Sequence, residues 1–452
     1  MRARAVRVVG RPAAQGLCID VPCGATHVAS AALRADVIVR DVMLPRGVRW
    51  IGVWAFGGCE NLVAVTFPET LRAVGAHAFH GCARLREVRF PEGLHTIGEG
   101  AFASCTALTG ITLPETLRHL GVRAFADCST IERLHVGASL RMIPDYAFVG
   151  CTCLTAVELG HSVRAIGAFA FAWCLALALM RMPPPLREIG EGAFYGCSSL
   201  RQVACSDALE TIGTCAFAEC DGLRVASIAP SVVRLGVGAF SDCQCLVGVA
   251  GGAGVRHIGA WVFSDCSALR TFEIGPAVQC IGEGAFRGCN RLQVLTCTRA
   301  HALTDIERLA FAGCRALAHV WLPRDLLRVG AFAFLGCVRL ESVRIGPCVR
   351  EVGQDAIVGC DALDHIVVPD DGYLDCRFTP WCTVLSYHFF VVLFARAGEG
   401  ASWLCHLPRD VLAHVRHHMH GAPSPARRLL WPVQTPGTTH AAMGWQIGAF
   451  PR

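Results

Sequence analysis

Histidine and cysteine are the side chains in this 452-residue chain whose spacing could support chemistry. His414 and His418 lie four residues apart in a segment with helical apolar spacing, so both rings would share one helix face, as zinc ligands can. No carboxylate completes a metalloprotease motif there, and no paired cysteines lie close by. We therefore interpret the segment as a basic, partly exposed helix and predict no metal site. His414 and His418 are the candidate ligands if a metal is bound.

Two pairs of neighbouring thiols, Cys151 with Cys153 and Cys243 with Cys245, raise the question of redox chemistry. A reactive thiol needs a pKa lowered by a helix start or a nearby cation, and this spacing supplies neither. The glycine-rich stretch 251–254 lacks the strand-then-helix setting of a phosphate-binding loop. No serine, cysteine or aspartate stands out as a nucleophile with a matching base. The sequence therefore predicts no enzymatic activity and no cofactor.

Most of the 26 cysteines follow a fixed period instead. Zinc sites pair their ligands two to four residues apart, and small secreted domains have dense, irregular disulfide frameworks. A free cysteine behaves as a small buried hydrophobe with a weak donor, so the sequence predicts a ladder of stacked thiols in a reducing compartment. The fourteen ladder positions are Cys59, Cys82, Cys105, Cys128, Cys151, Cys174, Cys197, Cys220, Cys243, Cys266, Cys289, Cys314, Cys337 and Cys360.

The elements that position these thiols repeat with the same period. A phenylalanine recurs every 23 residues from Phe56 to Phe286, one step of 25 reaches Phe311, and steps of 23 continue to Ile357. Self-similarity at such a period, kept through fourteen units, is typical of a solenoid, and the large ring is expected to fill the middle of each coil. A solenoid grows by adding units, so its length does not imply several globular domains.

One unit, residues 82–105, shows what each coil should contain. Val88 and Phe90 alternate as in a short strand with one buried face, and Pro91 ends that strand because proline cannot donate to a ladder. Residues 94–97 form a second extended segment, and the apolar spacing over 101–108 favours a helical turn. Glycine fills one slot in twelve of fourteen units, but Pro144 also occupies it, so close packing against the next coil explains the slot better than a positive φ.

This unit resembles the leucine-rich repeats of the BspA-like, treponemal type, whose units read Leu-Pro-x-x-Leu-x-x-Ile-Gly-x-x-Ala-Phe-x-x-Cys-x-x-Leu. The match covers about residues 25 to 369. The resemblance implies a right-handed solenoid with a parallel β-sheet on one face and short strands, turns or helical turns on the other. Bacterial proteins of this type are often surface proteins that bind host matrix proteins or other cells. A cell-surface adhesin is therefore the alternative to an intracellular scaffold.

Three regions follow from these patterns. Residues 1–48 are expected to form a degenerate N-terminal repeat or cap, 49–369 a solenoid of about fourteen units, and 370–452 a C-terminal cap, a short helix and a flexible tail. The start of the segment 407–419 looks like the opening of an F-box, a helical motif that docks an adaptor. A capping or loosely docked helix is the interpretation we favour there, with the adaptor role as an alternative.

Composition limits the compartment and the class of protein. The longest apolar run outside the repeats, 389–395, is far shorter than the roughly 20 residues of a membrane span. The first residues are basic but no apolar block follows, so the sequence predicts no secretory signal and a cytoplasmic location. All 41 basic residues are arginine, which excludes lysine nucleophiles and the lysine of phosphate-binding loops.

The predicted function rests on the outward slots around the first strand of each unit. Arginines there alternate with glutamates, which favours a protein partner over nucleic acid, because nucleic acid favours a continuous basic stripe. We predict a non-enzymatic scaffold that binds a protein through this strand face; the sequence makes no prediction of oligomeric state. The candidate binding residues are Arg86, Arg89, Arg133, Arg181, Arg201, Arg224, Arg270, His319, Trp321 and Arg344.

Overall fold

The computed structural model describes residues 11–13, 16–20, 24–297, 300–363 and 365–367. Within these ranges the chain forms a stack of coils, each with two short strands and a run of turns, and no described residue is helical. The strands line two faces of the stack, which we call the front sheet and the side sheet. Strand pairing is interrupted in the front sheet between Glu87–Val88 and Gly110–Thr112 and between Gly248–Gly251 and Thr271–Glu273, and in the side sheet between His119–Leu120 and Met142–Ile143. The predicted repeat solenoid is confirmed.

The front sheet contains the first strand of each coil. Its strands alternate one buried residue with exposed neighbours, as in Arg133–His135, where Leu134 is buried. This alternation is what a sheet with one face on the core requires. The front-sheet strands are Arg11–Ala13, Gly16–Asp20, Val39–Met43, Ala64–Thr66, Glu87–Val88, Gly110–Thr112, Arg133–His135, Ala156–Glu158, Leu179–Met180, Gln202–Ala204, Val225–Ile228, Gly248–Gly251, Thr271–Glu273, Val294–Thr296, His319–Trp321, Ser342–Arg344 and His365–Val367.

The side sheet contains the second strand of each coil, which is two residues long throughout. Its second residue is typically buried, as Val74 is in Ala73–Val74. The side-sheet strands are His27–Val28, Trp50–Ile51, Ala73–Val74, Thr96–Ile97, His119–Leu120, Met142–Ile143, Ala165–Ile166, Glu188–Ile189, Thr211–Ile212, Arg234–Leu235, His257–Ile258, Cys280–Ile281, Asp305–Ile306, Arg328–Val329 and Glu351–Val352.

Strand pairing follows the repeat. Partners on neighbouring coils differ by 23 residues, as in Arg133 opposite Ala156. Where the repeat lengthens, the side-sheet partners Cys280 and Asp305 differ by 25, while the preceding front-sheet partners Thr271 and Val294 differ by 23. The two extra residues therefore lie between the front and side strands of one coil, where they leave both sheets in register.

The core is a column of phenylalanine rings. Thirteen rings from Phe56 to Phe334 stack with centroids 5.0–5.6 Å apart and interplanar angles of 1–22°. Each ring is at most 1% exposed. Offset stacks at this separation add to the free energy of burial. The prediction that each phenylalanine fills its own coil is confirmed.

The segment around each phenylalanine differs from the expected helical turn. Two residues four positions apart in each turn segment have positive φ, as Trp54 at 58° and Gly58 at 78° do. With this backbone conformation the Phe56 N–H donates to the Ala78 carbonyl of the next coil at 2.7 Å, and the Cys59 N–H donates to the Phe56 carbonyl at 3.1 Å. A helix would use its donors within the segment. The turns instead form a third hydrogen-bonded contact between coils, beside the two sheets.

The glycine that recurs in most units packs closely against the backbone of a neighbouring coil. A Cβ added at Gly75 would lie 2.8 Å from the Gly52 carbonyl carbon in the preceding coil, and no positive φ occurs at Gly75. The preference for close packing over a left-handed conformation is confirmed. The contact, however, is with the preceding coil and not with the next one as expected.

The chain opens with a feature that the repeat does not predict. Arg11–Ala13 pairs antiparallel with Gly16–Asp20, which then pairs parallel with Val39–Met43 and so begins the front sheet. In the first coil Leu33 takes the phenylalanine position, and its carbonyl accepts the Cys59 thiol. The predicted C-terminal cap, tail and helix, with His414 and His418, lie outside the described residues.

Candidate functional site

The ladder thiols have a structural role in every coil. Each of the fourteen donates from Sγ to a carbonyl of the preceding coil at 3.0–3.4 Å, and for thirteen of them the acceptor is the ladder phenylalanine. The described cysteines form no disulfide. Burial raises the pKa of the Cys197 thiol to about 12 and of Cys59 to about 11. Such thiols are un-ionised and unreactive at neutral pH.

The other candidate chemical sites separate in the structure. Cys151 and Cys243 are buried, whereas Cys153 and Cys245 are exposed, so neither pair shares one environment. Gly251 ends a front-sheet strand and is followed by turns, without the helix that a phosphate loop needs. Within the described part of the chain, no group of three histidine, cysteine or acidic residues could hold a metal ion.

The ten predicted binding residues are all exposed at the front sheet or immediately beside it. We name exposed columns by their distance after the ladder phenylalanine: column 7 precedes each strand, and columns 8 and 10 point outward on either side of the buried residue. Arg86, Arg201, Arg224 and Arg270 stand in column 7. Arg133 and His319 stand in column 8, and Arg89, Arg181, Trp321 and Arg344 stand in column 10.

Some of these residues have polar partners, either in their own coil or in the neighbouring one. Arg89 lies 3.7 Å from Glu87, and His319 lies 3.8 Å from Glu341. Both pairs are exposed and contribute little to stability. Trp321 lies directly opposite Arg344 in the sheet and is 65% exposed. An aromatic ring that far out of the core is available for contact with another molecule.

Across the part of the chain that the structure describes, all four column-7 arginines of the predicted set have unpaired guanidinium groups, and three of them lie close together. Within the described residues, Arg201, Arg224 and Arg270 form no ion pair and donate no side-chain hydrogen bond. They lie on coils close together along the stack, with Arg201 and Arg224 on neighbours, and the Arg224 N–H donates to the Arg201 carbonyl at 2.9 Å. The structure thus brings part of the predicted set together, whereas Arg89 and Arg344 lie towards opposite ends of the front sheet.

An uncharged stretch of column 8 was missed by the sequence interpretation. Seven consecutive coils carry no charge there, and three large apolar side chains stand out to solvent: Leu179 is 53%, Val225 42% and Val294 50% exposed. The predicted set consists of arginines, His319 and Trp321, whereas the signal for this stretch is apolar residues in the same outward slots. The stretch consists of Ala156, Leu179, Gln202, Val225, Gly248, Thr271 and Val294.

The column-10 positions beside this stretch add little bulk or charge over three coils. They are Ala204, Ser227 and Ala250. On the other side stand Arg201, Arg224 and Arg270 of column 7. The middle of the front sheet is therefore neutral and partly apolar, with arginines along one border. We call the seven column-8 positions from Ala156 to Val294 the neutral strip. The residues that the structure describes include no helix with the length and apolarity needed to span a bilayer.

Stacked coils, two parallel sheets and a regular apolar core define the class as a leucine-rich repeat solenoid. A family model described as "BspA type Leucine rich repeat region" matches residues 27–155, 124–247 and 256–373. The chain belongs to this family.

One solved structure shares the fold, and two others match at lower TM-scores. A leucine-rich repeat protein from Bacteroides ovatus is 22% identical, with 83% of this chain and 98% of that chain covered, at a TM-score of 0.63. A Treponema pallidum leucine-rich repeat protein is 29% identical, with 39% of this chain and 90% of that chain covered, at a TM-score of 0.34. A leucine-rich cell surface protein from Faecalibacterium prausnitzii is 19% identical, with 84% of this chain and 98% of that chain covered, at a TM-score of 0.39. The comparison with curated proteins found no match.

Proposed function

We propose that this chain is a non-enzymatic scaffold that binds a protein partner through the neutral strip of the front sheet. The observation that carries the proposal is the run of seven uncharged column-8 positions with Leu179, Val225 and Val294 exposed. An apolar side chain at an outward strand position gains nothing from the core. It gains free energy when another surface covers it.

The composition of the strip matches that of a protein interface. Such interfaces have an apolar centre depleted of charge, with arginine enriched where polar contacts surround it. Leu179 and Val225 would form the centre, and Arg201, Arg224 and Arg270 would pair with carboxylates of the partner along one border. Seven strands spaced about 4.8 Å apart give the strip a length of about 29 Å.

The partner can be captured by a photoreactive amino acid placed at Gln202, between Leu179 and Val225 in column 8. Binding of the purified partner is then compared between the wild-type chain and Leu179→Asp/Val225→Asp. Two carboxylates in the apolar centre should weaken binding on the order of tenfold or more, because a desolvated charge would be left unpaired.

The matched control is Val122→Asp/Val237→Asp. These valines are similarly exposed, at 40% and 47%, but lie in the turn segments. The control should bind as the wild type does. Equal loss in both double variants, or no loss in either, would overturn the role of the neutral strip.

Family membership also supports a second hypothesis, a surface adhesin of the BspA type that uses the same sheet on a host or matrix protein. The two hypotheses differ in compartment. Labelling of intact cells with a membrane-impermeant reagent should modify the chain if it is an adhesin and spare it if it works in the cytoplasm.

A further inference from the structure

The side sheet carries a second ordered surface, separate from the neutral strip. The residue immediately before the side-sheet strand is basic in seven consecutive coils, and the run ends at Glu210 in the eighth. Six members are exposed and the histidine is half-buried. We call this run the basic column; it consists of Arg49, Arg72, His95, Arg118, Arg141, Arg164 and Arg187.

Backbone hydrogen bonds place the first four of these residues directly above one another, and the last three likewise; the side sheet is interrupted between the two groups, from His119–Leu120 to Met142–Ile143. The Arg72 N–H donates to the Arg49 carbonyl at 2.6 Å, and the His95 N–H donates to the Arg72 carbonyl at 2.9 Å. The contact continues from Arg118 to His95 at 3.0 Å. The same bond joins Arg164 to Arg141 at 2.7 Å and Arg187 to Arg164 at 2.8 Å. Seven successive coils at the strand spacing of about 4.8 Å extend this row over about 29 Å.

Among the described residues, most of this charge has no partner. Across the described residues, the side chains of Arg49, Arg118, Arg141 and Arg164 form no ion pair and donate no hydrogen bond. In the described ranges, Arg187 is the one member that pairs with a carboxylate, that of Glu210 at 2.8 Å. Like charges opposite each other on neighbouring strands are destabilising. The fold therefore gains no stability from the column, which points to a ligand that neutralises it.

We propose that the basic column binds an acidic segment of a partner polypeptide in an extended conformation, lying across the coils. Alternate side chains of an extended segment point the same way about 6.7 Å apart, so a row of about 29 Å would meet four or five carboxylates. Arginine is suited to this role because its planar fork pairs with a carboxylate through two hydrogen bonds.

The adjacent column favours polypeptide over nucleic acid. It consists of the first strand residues Trp50, Ala73, Thr96, His119, Met142, Ala165 and Glu188. A single-stranded nucleic acid site needs aromatic rings on which successive bases stack, and this column has one tryptophan and one histidine, three coils apart. Met142, which is 53% exposed, and Ala165 offer apolar contact to the side chains between the carboxylates. Glu188 and Glu210 would repel a continuous row of phosphates.

The expectation against nucleic acid came from the interleaved charges of the front sheet, and the basic column has no such interruption. The test must therefore include nucleic acid. Fluorescence anisotropy of the full chain is measured with a labelled decapeptide of alternating Glu and Ser, and separately with a ten-nucleotide oligothymidylate. We expect the peptide to bind, and to bind less as salt is raised, because exposed ion pairs are screened.

The decisive variant is Arg118→Gln/Arg141→Gln/Arg164→Gln, which removes three unpaired members from the middle of the column. Peptide binding should fall about tenfold, since each exposed ion pair contributes a factor of about two or more. The matched control, Arg201→Gln/Arg224→Gln/Arg270→Gln, removes the same charge from the front sheet and should bind the peptide as the wild type does. This result is independent of whether the neutral strip binds its own partner.

Arg118→Lys/Arg141→Lys/Arg164→Lys separates folding from charge, because it keeps the cations and should keep most of the binding. The midpoint temperature of thermal unfolding of the glutamine variant should be unchanged or higher than that of the wild type, since repulsion within the column is reduced. The proposal is overturned if the peptide does not bind, if both glutamine triples lose binding equally, or if oligothymidylate binds and the peptide does not.

Discussion

The interior and the surface of this solenoid obey different rules although one 23-residue repeat encodes both. Inside, phenylalanine and cysteine recur on nearly every coil because each ring and each thiol contacts its counterpart or the backbone of the preceding coil. Outside, column 8 changes from Glu87 to Arg133 to Leu179 along the stack. A buried position must match its neighbours, whereas an exposed position is restricted only by what it binds. The surface is therefore where function can vary without loss of the fold.

The same contrast appears between the two surfaces. The neutral strip runs from Ala156 to Val294 on the front sheet, and the basic column runs from Arg49 to Arg187 on the side sheet. Both persist for seven coils, and they share only two coils. Persistence over many coils is normal for a core column. At the surface it needs another cause, and that cause is the basis of both proposals.

The largest expected effect tests the interior through its thiols. Burial raises the pKa of ten ladder cysteines, to about 11 for Cys59 and about 12 for Cys197, and a hydrogen bond with Cys360 together with burial raises that of Cys337. In the unfolded chain a thiol ionises near pH 8.5. The stabilisation from un-ionised thiols is therefore complete below about pH 8.5 and is lost as the pH rises through the folded pKa values.

Above the unfolded-state pKa, each such thiol lowers the free energy of unfolding by about 1.4 kcal/mol per pH unit. Eleven thiols together therefore lower it by about 15 kcal/mol per pH unit. That exceeds the stability of most proteins, and we expect circular dichroism under reducing conditions to show unfolding within about one pH unit above pH 9 to 10. The chain has no lysine to titrate in this range. Cys174→Ala/Cys197→Ala/Cys220→Ala should make the transition less steep. A native spectrum at pH 11.5 would contradict the thiol ladder.

The next effect tests the phenylalanine column. Phe194→Ala should lower the free energy of unfolding by about 3–5 kcal/mol, because the ring is fully buried and its loss leaves a cavity between Phe171 and Phe217. Phe332, half-buried in a turn, provides the control, and Phe332→Ala should have a smaller effect. Hydrogen exchange should accelerate mainly in the coils next to residue 194. Acceleration spread evenly over the chain would contradict stability carried coil by coil.

The interior could be predicted from the sequence because the buried positions recur with the period of the repeat. Phe194 and Cys197 recur in register, and the structure places both in the core as predicted. The turn conformation was not predictable from that pattern. Apolar spacing around Phe171 fits a helical turn, but the positive φ of Phe169 and Trp173 and the bonds to the next coil become apparent only when the coils are stacked.

The surface was predicted less completely, for a related reason. Exposure of Arg201 and Trp321 followed from strand alternation, and both are exposed. The neutral strip and the basic column depend on residues 23 apart being neighbours in space. In column 8 only Arg133 and His319 were predicted to bind, and the position occupied by Arg118 and Arg141 was not predicted to form a binding surface. Aligning every outward slot by the period would have found both columns from the sequence.

The smallest effect compares two glycines, one packed between coils and one at the surface. A Cβ at Gly190 would lie 2.8 Å from the Gly167 carbonyl carbon, so Gly190→Ala should reduce the free energy of unfolding by about 1–3 kcal/mol. Gly248 in the neutral strip has nothing within 4 Å of an added Cβ, and its φ is not positive. Gly248→Ala should therefore raise stability by up to about 1 kcal/mol, because it restricts the unfolded chain. Denaturant titration of the two variants measures both signs. Destabilisation by Gly248→Ala equal to that by Gly190→Ala would mean that the strip is under packing constraint like the core, and its freedom from charge would then need no partner to explain it.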